Sequence, residues 1–272
     1  MLNSIRRRDV SSNHFILTGC FALSRKEKFS QKSFMQVSII IPVFNEARLI
    51  RQFLSNLRER TRGAEVIVVD GGSTDGTGRL AEGFCDQVIR SGARSRARQM
   101  NVGADEAGGE ILWFLHADAQ VPLESLREIA RIMRNPEICG GFFRIRLPDA
   151  PAIYRLTDGF AHYAGLVLRM RCGDHGIFCL RKVFVDVGGF PDVPVMEDVE
   201  FFRRLRRCGR VVHSNKRIGA SPRRYETVGA ARLTFAYGLI ATLYLFGVSL
   251  STLARIYRRT CCGPPEQALL TR

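Results

Sequence analysis

Ile111-Leu-Trp-Phe-Leu-His-Ala-Asp118 sets five apolar residues in an unbroken row and then stops on two polar side chains separated by one alanine. A short, bulky, wholly apolar run reads as a strand buried on both faces, as at the centre of a parallel sheet. In open α/β sheets ligands bind beyond the carboxyl ends of the strands, which is where His116 and Asp118 fall. Alternation along a strand puts residues two apart on one side, so the pair is expected to face a single ligand or metal ion. A His-x-Asp pair is also what an ordinary strand end shows where it meets water. The residues that the rest of the chain brings to that edge decide between the two.

Working outward, Val37-Ser-Ile-Ile-Ile-Pro-Val43 is a β-branched strand followed by Asn45 and Glu46. Glu46 to Thr61 carries Leu49, Ile50, Phe53, Leu54 and Leu57 at helical spacing. Glu65-Val-Ile-Val-Val-Asp70 is a second strand ending on a carboxylate, and Gly71 to Thr77 offers a glycine turn with Ser73 or Thr74 as helix N-cap. Asp86–Arg90 reads as a third strand, Ala97–Ala107 as a helix, and Pro122–Arg134 as a helix whose apolar face includes Leu123, Leu126 and Ile129. Alternating strands and helices predict an α/β fold, a mostly parallel sheet with helices on both faces. Its carboxyl edge would gather Asn45, Glu46, Asp70, His116 and Asp118. Carboxylates that close repel one another, so a cation or a set of hydrogen-bond donors is expected among them.

Composition fits one large α/β domain with a tail. The 272 residues are 46% hydrophobic and 25% charged, with a net charge of +15. That surface suits anionic partners such as nucleotide phosphates or acidic lipid. Residues 1–34 supply +5 of the charge, imitate a signal peptide only faintly, and precede Met35, which stands directly before the first strand. They are read as a disordered basic extension, and a chain starting at Met35 is expected to keep full activity. The eight cysteines form no C-x-x-C pair and no zinc spacing. Cys85, Cys139, Cys172, Cys179 and Cys208 fall in or beside predicted elements, as reduced core thiols do, which points to a cytoplasmic protein.

Gly71-Gly-Ser-Thr-Asp-Gly76 lacks the spacing of a dinucleotide-binding loop, and Asp70 before it would repel a pyrophosphate. A carboxylate there suits a nucleoside instead, because it accepts hydrogen bonds from a base N–H or a ribose hydroxyl. Several ordered segments then carry a resemblance: Ser38-Ile-Ile-Ile-Pro-Val-Phe-Asn-Glu46, Val69-Asp-Gly-Gly-Ser-Thr-Asp-Gly-Thr77, Arg98-Gln-Met-Asn-Val-Gly103 and Leu115-His-Ala-Asp118. Gly173-Asp-His-Gly-Ile-Phe178, Gly188-Gly-Phe-Pro191 and Met196-Glu-Asp-Val-Glu200 continue it in the same order. Over about 37 to 258 the chain resembles a family-2 glycosyltransferase, within it the small bacterial branch with His-Ala-Asp in place of Asp-x-Asp.

The resemblance implies a GT-A fold and transfer of a sugar from a nucleoside-diphosphate donor, read here as a UDP-sugar, usually with inversion (a hexosyltransferase-type reaction). It implies that Pro42, Phe44, Glu46 and Asp70 hold the base and ribose, with Arg98 and Asn101 near the donor. Asp118 would hold a divalent metal, Mn²⁺ or Mg²⁺, and His116 as a second ligand would favour Mn²⁺. Asp198 would be the base that deprotonates the acceptor, with Asp174 as runner-up. Arg223 and Arg224, in Ser221-Pro-Arg-Arg-Tyr225, stand where the branch carries Arg-Arg-Trp and could clamp phosphate. The missing Gln-x-x-Arg-Trp argues against a processive synthase.

Residues 35–228 are thus assigned to the transferase domain and 229–272 to a C-terminal apolar helix and basic tail. Leu233 to Leu253 carries no charge, and a spanning helix needs roughly 18–20 such residues. Arginines flank it on both sides, however, and spanning would export Arg255, Arg258 and Arg259 against the positive-inside rule. A helix lying at the inner face of the cell membrane, or packed on the core, fits better. Adjacent Cys261 and Cys262 could be lipidated. The expected partners are a nucleotide-sugar, a lipid-linked or carotenoid-like acceptor and a membrane surface, but no nucleic acid. A nucleotidyltransferase would show a glycine-rich loop with Arg and Lys after its first strand, where Asn45-Glu46 stands. A catalytically silent nucleotide- or membrane-binding module would have no need of both Asp118 and Asp198.

Overall fold

A computed structural model describes residues 35–92, 94–146, 175–221 and 223–261. The extension 1–34, Asp174, Cys172 and Cys262 lie outside the described residues. Four strands follow the sequence closely: β1 (Val37–Val43), β2 (Glu65–Asp70), β3 (Gln87–Arg90) and β4 (Ile111–Phe114). They lie parallel in the order β3-β2-β1-β4. Beyond β4 the sheet changes character. β6 (Phe178–Leu180) runs antiparallel to β4 and to β5 (Ile138–Arg146), and β7 (Arg210–Gly219) is parallel to β5. The seven strands thus form a mostly parallel sheet.

Helices cover both faces because the strands are apolar on both. In β1 alternation sends Ile39 and Ile41 to one face and Ile40 to the other. The first face packs on α1 (Ile50–Arg60) through Phe53, Leu54 and Leu57, and on α4 (Ser125–Met133) through Ile129 and Ile132. The second packs on α3 (Arg96–Glu106), on α5 (Arg181–Asp186) and on α6 (Glu197–Cys208) through Met100, Phe184, Phe201 and Leu205. α3 approaches closely: a β-carbon on Gly103 would lie 2.5 Å from Cγ2 of Ile40 and 2.9 Å from Cγ2 of Val69.

Several expected boundaries move. α1 starts at Ile50 rather than Glu46, because residues 46–49 form turns that leave the Glu46 amide for Thr77 Oγ1 at 2.8 Å. The short α2 (Thr77–Ala81) is entered through Gly76 in the left-handed region, so neither Ser73 nor Thr74 caps it. α4 begins three residues after Pro122, which leaves Leu123 65% exposed rather than on the core face.

The C-terminal apolar run is two helices and not one. After α7 (Arg223–Val228), α8 (Ala230–Leu245) ends at Phe246-Gly247, where Gly247 has a positive φ, and α9 (Leu250–Cys261) packs back against it. Among the described residues no helix is long and apolar enough to cross a membrane. Cys261 is buried in this packing. Cys139 and Cys179 are buried as core thiols should be, whereas Cys208 is exposed. Burial pushes the Cys139 thiol up to about 11, and Cys179 is raised further by the same cause.

Candidate active site

β1 and β2 end side by side, with Val43 paired to Asp70. Asp70 is 5% exposed, and its Oδ1 accepts from the amides of Gly72 (3.1 Å) and Ser73 (2.8 Å) and from Ser73 Oγ (2.6 Å). The strand-end carboxylate therefore shapes the glycine loop after it. Ser73 Oγ in turn accepts from the Asn45 amide at 2.9 Å, and Asn45 Oδ1 from the Thr74 amide at 2.9 Å. Asn45 has a φ of 53°, a conformation that asparagine tolerates better than most residues. Asp75 Oδ2 accepts from the Ala47 amide at 3.0 Å. Burial pushes Asp75 up, but the Thr77 hydroxyl and the amides of Ala47 and Thr77 outweigh it and hold the carboxyl below its ordinary range.

A residue given no role from the sequence locks this edge. Gln99 is 4% exposed, and its Nε2 donates to the carbonyls of Val43 (2.8 Å), the last residue of β1, and Val69 (2.7 Å), the last but one of β2, tying the two strand ends together. A signal was there: Gln99 lies on the same buried stripe as Met100, Gly103 and Ala104, and a polar group on such a face must find partners. Pro42 and Phe44 are half-buried beside the loop, with the Arg94 guanidinium 4.0 Å over the Phe44 ring. Arg98 sits exposed on the first turn of α3.

β4 is shorter than its apolar run. Its last amide, Phe114, donates to Ile177, and Leu115 to Ile40. His116 to Ala119 then closes a turn through a 3.1 Å bond from the Ala119 amide to the His116 carbonyl. His116 and Asp118 thus lie in a turn, strand alternation does not apply, and they face different neighbours. His116 borders a cavity of about 10 Å³, room for one water, shared with Arg96, Met100, Phe114, Phe190 and Asp198. Asp118 faces Arg223, whose Nη2 is 3.7 Å from its Oδ2.

Arg223 reaches this place because Gln120 and Gly219 exchange two backbone hydrogen bonds of 2.8 and 2.9 Å, which bring the end of β7 against the turn. Gly219 permits the approach, since a β-carbon there would sit 2.7 Å from that of Gln120. The Arg223 guanidinium then binds both oxygens of Glu46 at 3.0 Å. Glu46 and Asp118 therefore share one cation of the protein's own, as their convergence required. Arg224 follows in the same helix.

Asp198 lies in the first turn of α6, entered through Met196 in the left-handed region. The approach to that helix is pinned from α3. Asn101 Nδ2 donates to the Phe190 carbonyl (2.8 Å), and its Oδ1 accepts from the Phe190 amide (2.9 Å). The side-chain amide of Asn101 thus holds the 188–190 turn. Ser95 Oγ–Asp192 Oδ1 (3.0 Å) and Arg96–Glu197 (3.4 Å) add two more ties between the helices, neither of them anticipated.

Asp70, Asp118 and Asp198 are connected through a series of intermediate residues. Asp70 is linked to Asn45 and Glu46 through its loop, Glu46 to Asp118 through Arg223, and Asp118 shares its turn with His116, which borders the same cavity as Asp198. Among the described residues no group of three His, Cys, Asp or Glu side chains forms a metal cage. Asp118 is still a fitting partial site, because magnesium-type sites commonly take one or two carboxylates and complete their shell with substrate phosphates. His116 is turned toward the cavity instead.

Known proteins resemble this chain in sequence and fold. Residues 38–184 match the model for glycosyl transferase family 2. The glycosyltransferase AglE of Haloferax volcanii is 28% identical over 204 residues, 69% of this chain and 67% of that protein. A dolichol-phosphate mannosyltransferase of Pyrococcus furiosus is 27% identical over 168 residues, 56% of this chain but 48% of that enzyme, so the chain spans less than half of that relative. Among solved structures, the mannosyltransferase PcManGT of Pyrobaculum calidifontis, in complex with GDP-Man and Mn²⁺, superposes with a TM-score of 0.58 at 22% identity, over 87% of this chain and 79% of that one. With the family model matching more than half of its length and its sheet laid out as in such enzymes, the chain belongs to glycosyl transferase family 2 and has the GT-A fold.

Proposed function

We propose that the protein transfers a sugar from a nucleoside-diphosphate donor, taken as a UDP-sugar, to a hydroxyl of an apolar or lipid-linked acceptor at the inner face of the cell membrane, with inversion and without processive chain growth. The observation that carries this reading is the division of labour around one turn: Asp118 faces Glu46 and Arg223, while His116 borders the cavity that Asp198 lines. A charge-binding side and a proton-accepting side then lie within a few residues of each other.

On the charge side, Pro42, Phe44, Glu46 and the loop ordered by Asp70 take the nucleoside. Asp118 would hold the divalent metal together with the donor's own phosphates, and that metal when bound offsets the charge growing on the departing diphosphate. Arg223 stabilises Glu46 and Asp118 while no donor is present. On donor binding it moves to the diphosphate with Arg224 and Arg98, as bidentate guanidinium–phosphate pairing favours. On the other side, Asp198 accepts the proton of the acceptor hydroxyl as that oxygen bonds to the anomeric carbon and the bond from that carbon to the phosphate oxygen breaks. A single carboxylate behind the acceptor oxygen is what an inverting displacement needs. Asp174 is the alternative base.

Support for the donor class comes from the relatives: one solved neighbour holds GDP-Man with Mn²⁺ and another holds UDP-GlcNAc. Support for a lipid-linked acceptor comes from a relative named for dolichol phosphate. The test is donor turnover across several nucleotide sugars with Mn²⁺ or Mg²⁺, with the released nucleoside diphosphate measured. Turnover with one donor, raised by a lipid-extract acceptor, is the expected result; failure with every donor and metal overturns the reading.

A further inference from the structure

The described residues expose seven large hydrophobic side chains, and four of them, Phe235, Leu239, Leu245 and Phe246, belong to α8 and its end. Phe235 is 73% and Phe246 82% exposed. Positions 232, 235, 239, 242 and 246 recur at three- and four-residue steps and are all exposed, so they share one stripe of the helix. The opposite stripe, Leu233, Ala236 and Ile240, is buried against Tyr225, Val228, Ile256, Tyr257 and Cys261. α8 is therefore apolar on both its packed and its outward side. A helix that is apolar all round is normally covered all round.

Charge identifies what covers it. From Ala230 to Cys261 there is no acidic residue, and there are four arginines: Arg232, Arg255, Arg258 and Arg259. Arg232 opens the outward stripe, and its Nη2 donates to the Arg259 carbonyl at 3.3 Å, so Arg232 lies against the last turn of α9, which carries Arg258 and Arg259, while Arg255 sits exposed midway along that helix. A second copy of the chain would bring like-charged arginines together across a two-fold axis. Leu239 and Leu245 give nucleobases no ring to stack on, so a single-stranded nucleic acid fits the stripe less well than acyl chains do. An apolar stripe with a purely cationic margin matches acyl chains beneath anionic headgroups.

We propose that α8 and α9 form a docking face for an anionic lipid bilayer, with Phe235, Leu239, Leu245 and Phe246 entering the acyl boundary and Arg232, Arg255, Arg258 and Arg259 meeting headgroup phosphates. The assignment deepens the reading of an apolar acceptor given above. α8 is also joined to the base-bearing helix: Tyr244 bonds to Glu200 of α6, and Arg203 Nη1 donates to the Tyr244 hydroxyl at 2.8 Å. Docking would therefore hold Asp198 beside the surface from which a lipid-linked hydroxyl arrives.

Co-sedimentation of the full chain with phosphatidylcholine vesicles, with and without phosphatidylglycerol, tests this. Binding is expected only with phosphatidylglycerol and should weaken as salt rises. F235S/F246S, two exposed changes that leave the core untouched, should lower vesicle affinity at least tenfold with an unchanged circular dichroism spectrum and unchanged donor hydrolysis in vesicle-free buffer. R255Q/R258Q should remove the preference for phosphatidylglycerol. Equal binding by the wild type and F235S/F246S overturns the proposal, as does a wild-type dimer that F235S/F246S turns into a monomer while vesicle binding persists. Absence of donor hydrolysis in every sample would instead strike the transferase reading and leave the vesicle result to be judged on its own.

Discussion

On the β1–β2 side, Asp70 and Asp75 are fixed by main-chain amides and hydroxyls, several of them two or three residues away in sequence. On the β7 side, Arg223 reaches Glu46 and Asp118 along a side chain that is 50% exposed. The first arrangement costs little entropy to maintain, since short side chains in tight loops have few rotamers to lose. The second is a solvent-exposed ion pair, and such pairs are worth only about 0–1 kcal/mol. The β1–β2 side, assigned above to the nucleoside, is preorganised, whereas the cation between the carboxylates is only loosely held. A site that must accept and release a highly charged donor needs both properties.

The most severe way to sharpen that contrast is Asp198→Asn. Loss of a general base should lower transfer by roughly 10²–10⁴-fold while nucleotide affinity, read by titration calorimetry, stays within a factor of two or so. Retained turnover would move the base to Asp174. Asp118→Asn should come next, with transfer down by roughly 10²–10³-fold and Mn²⁺ no longer strengthening nucleotide binding.

A rigid edge should also break where it is tightest. Gly103→Ala puts a methyl group against Ile40 and Val69 and should cost about 1–3 kcal/mol in denaturant unfolding, with no change of nucleotide preference in the folded fraction. A loosely held cation should behave differently. Arg223→Ala is expected to weaken nucleoside-diphosphate binding about tenfold, one charge-assisted pair, while leaving the melting temperature nearly unchanged. A large fall in melting temperature would mean that Arg223 holds the fold rather than serving the site.

The smallest effect concerns Glu128, which joins α4 to β7. The Arg131 guanidinium, against partial burial, and then the Ser214 hydroxyl and Asn215 amide hold its carboxyl at about 2, below the ordinary value of 4.5. A carboxyl depressed in the folded state stabilises above its unfolded pKa, and that stability fades as pH falls from 4.5 toward 2. Glu128→Gln should lose about 1 kcal/mol at neutral pH and show a flatter stability profile across that window.

Much of the donor side could be read directly from residue order. β1, β2 and β4 are built on runs of β-branched and bulky apolar residues, and the loop from Asp70 to Thr77 carries its turn chemistry in Gly, Ser and Asp. What escaped was long-range partnership. Gln99 in α3 closes two strand ends, and Arg223 crosses 177 positions to meet Glu46. Neither follows from local spacing, because each depends on which elements the sheet makes neighbours. The apolar run 233–253 misled for a different reason: composition cannot distinguish one long helix from two short ones when Gly247 sits inside it. Strand alternation predicts His116 and Asp118 as a pair, but the strand stops at Phe114, one residue past its last partner in antiparallel β6, and His116 to Ala119 closes a turn.

Asn101 grips both the amide and the carbonyl of Phe190, so the approach to α6 takes its reference from α3. If Asp198 is the base proposed above, its aim is inherited from the half of the protein assigned there to the donor. Surfaces that greet different acceptors can diverge without spoiling the line of attack, provided that this one amide keeps its hold.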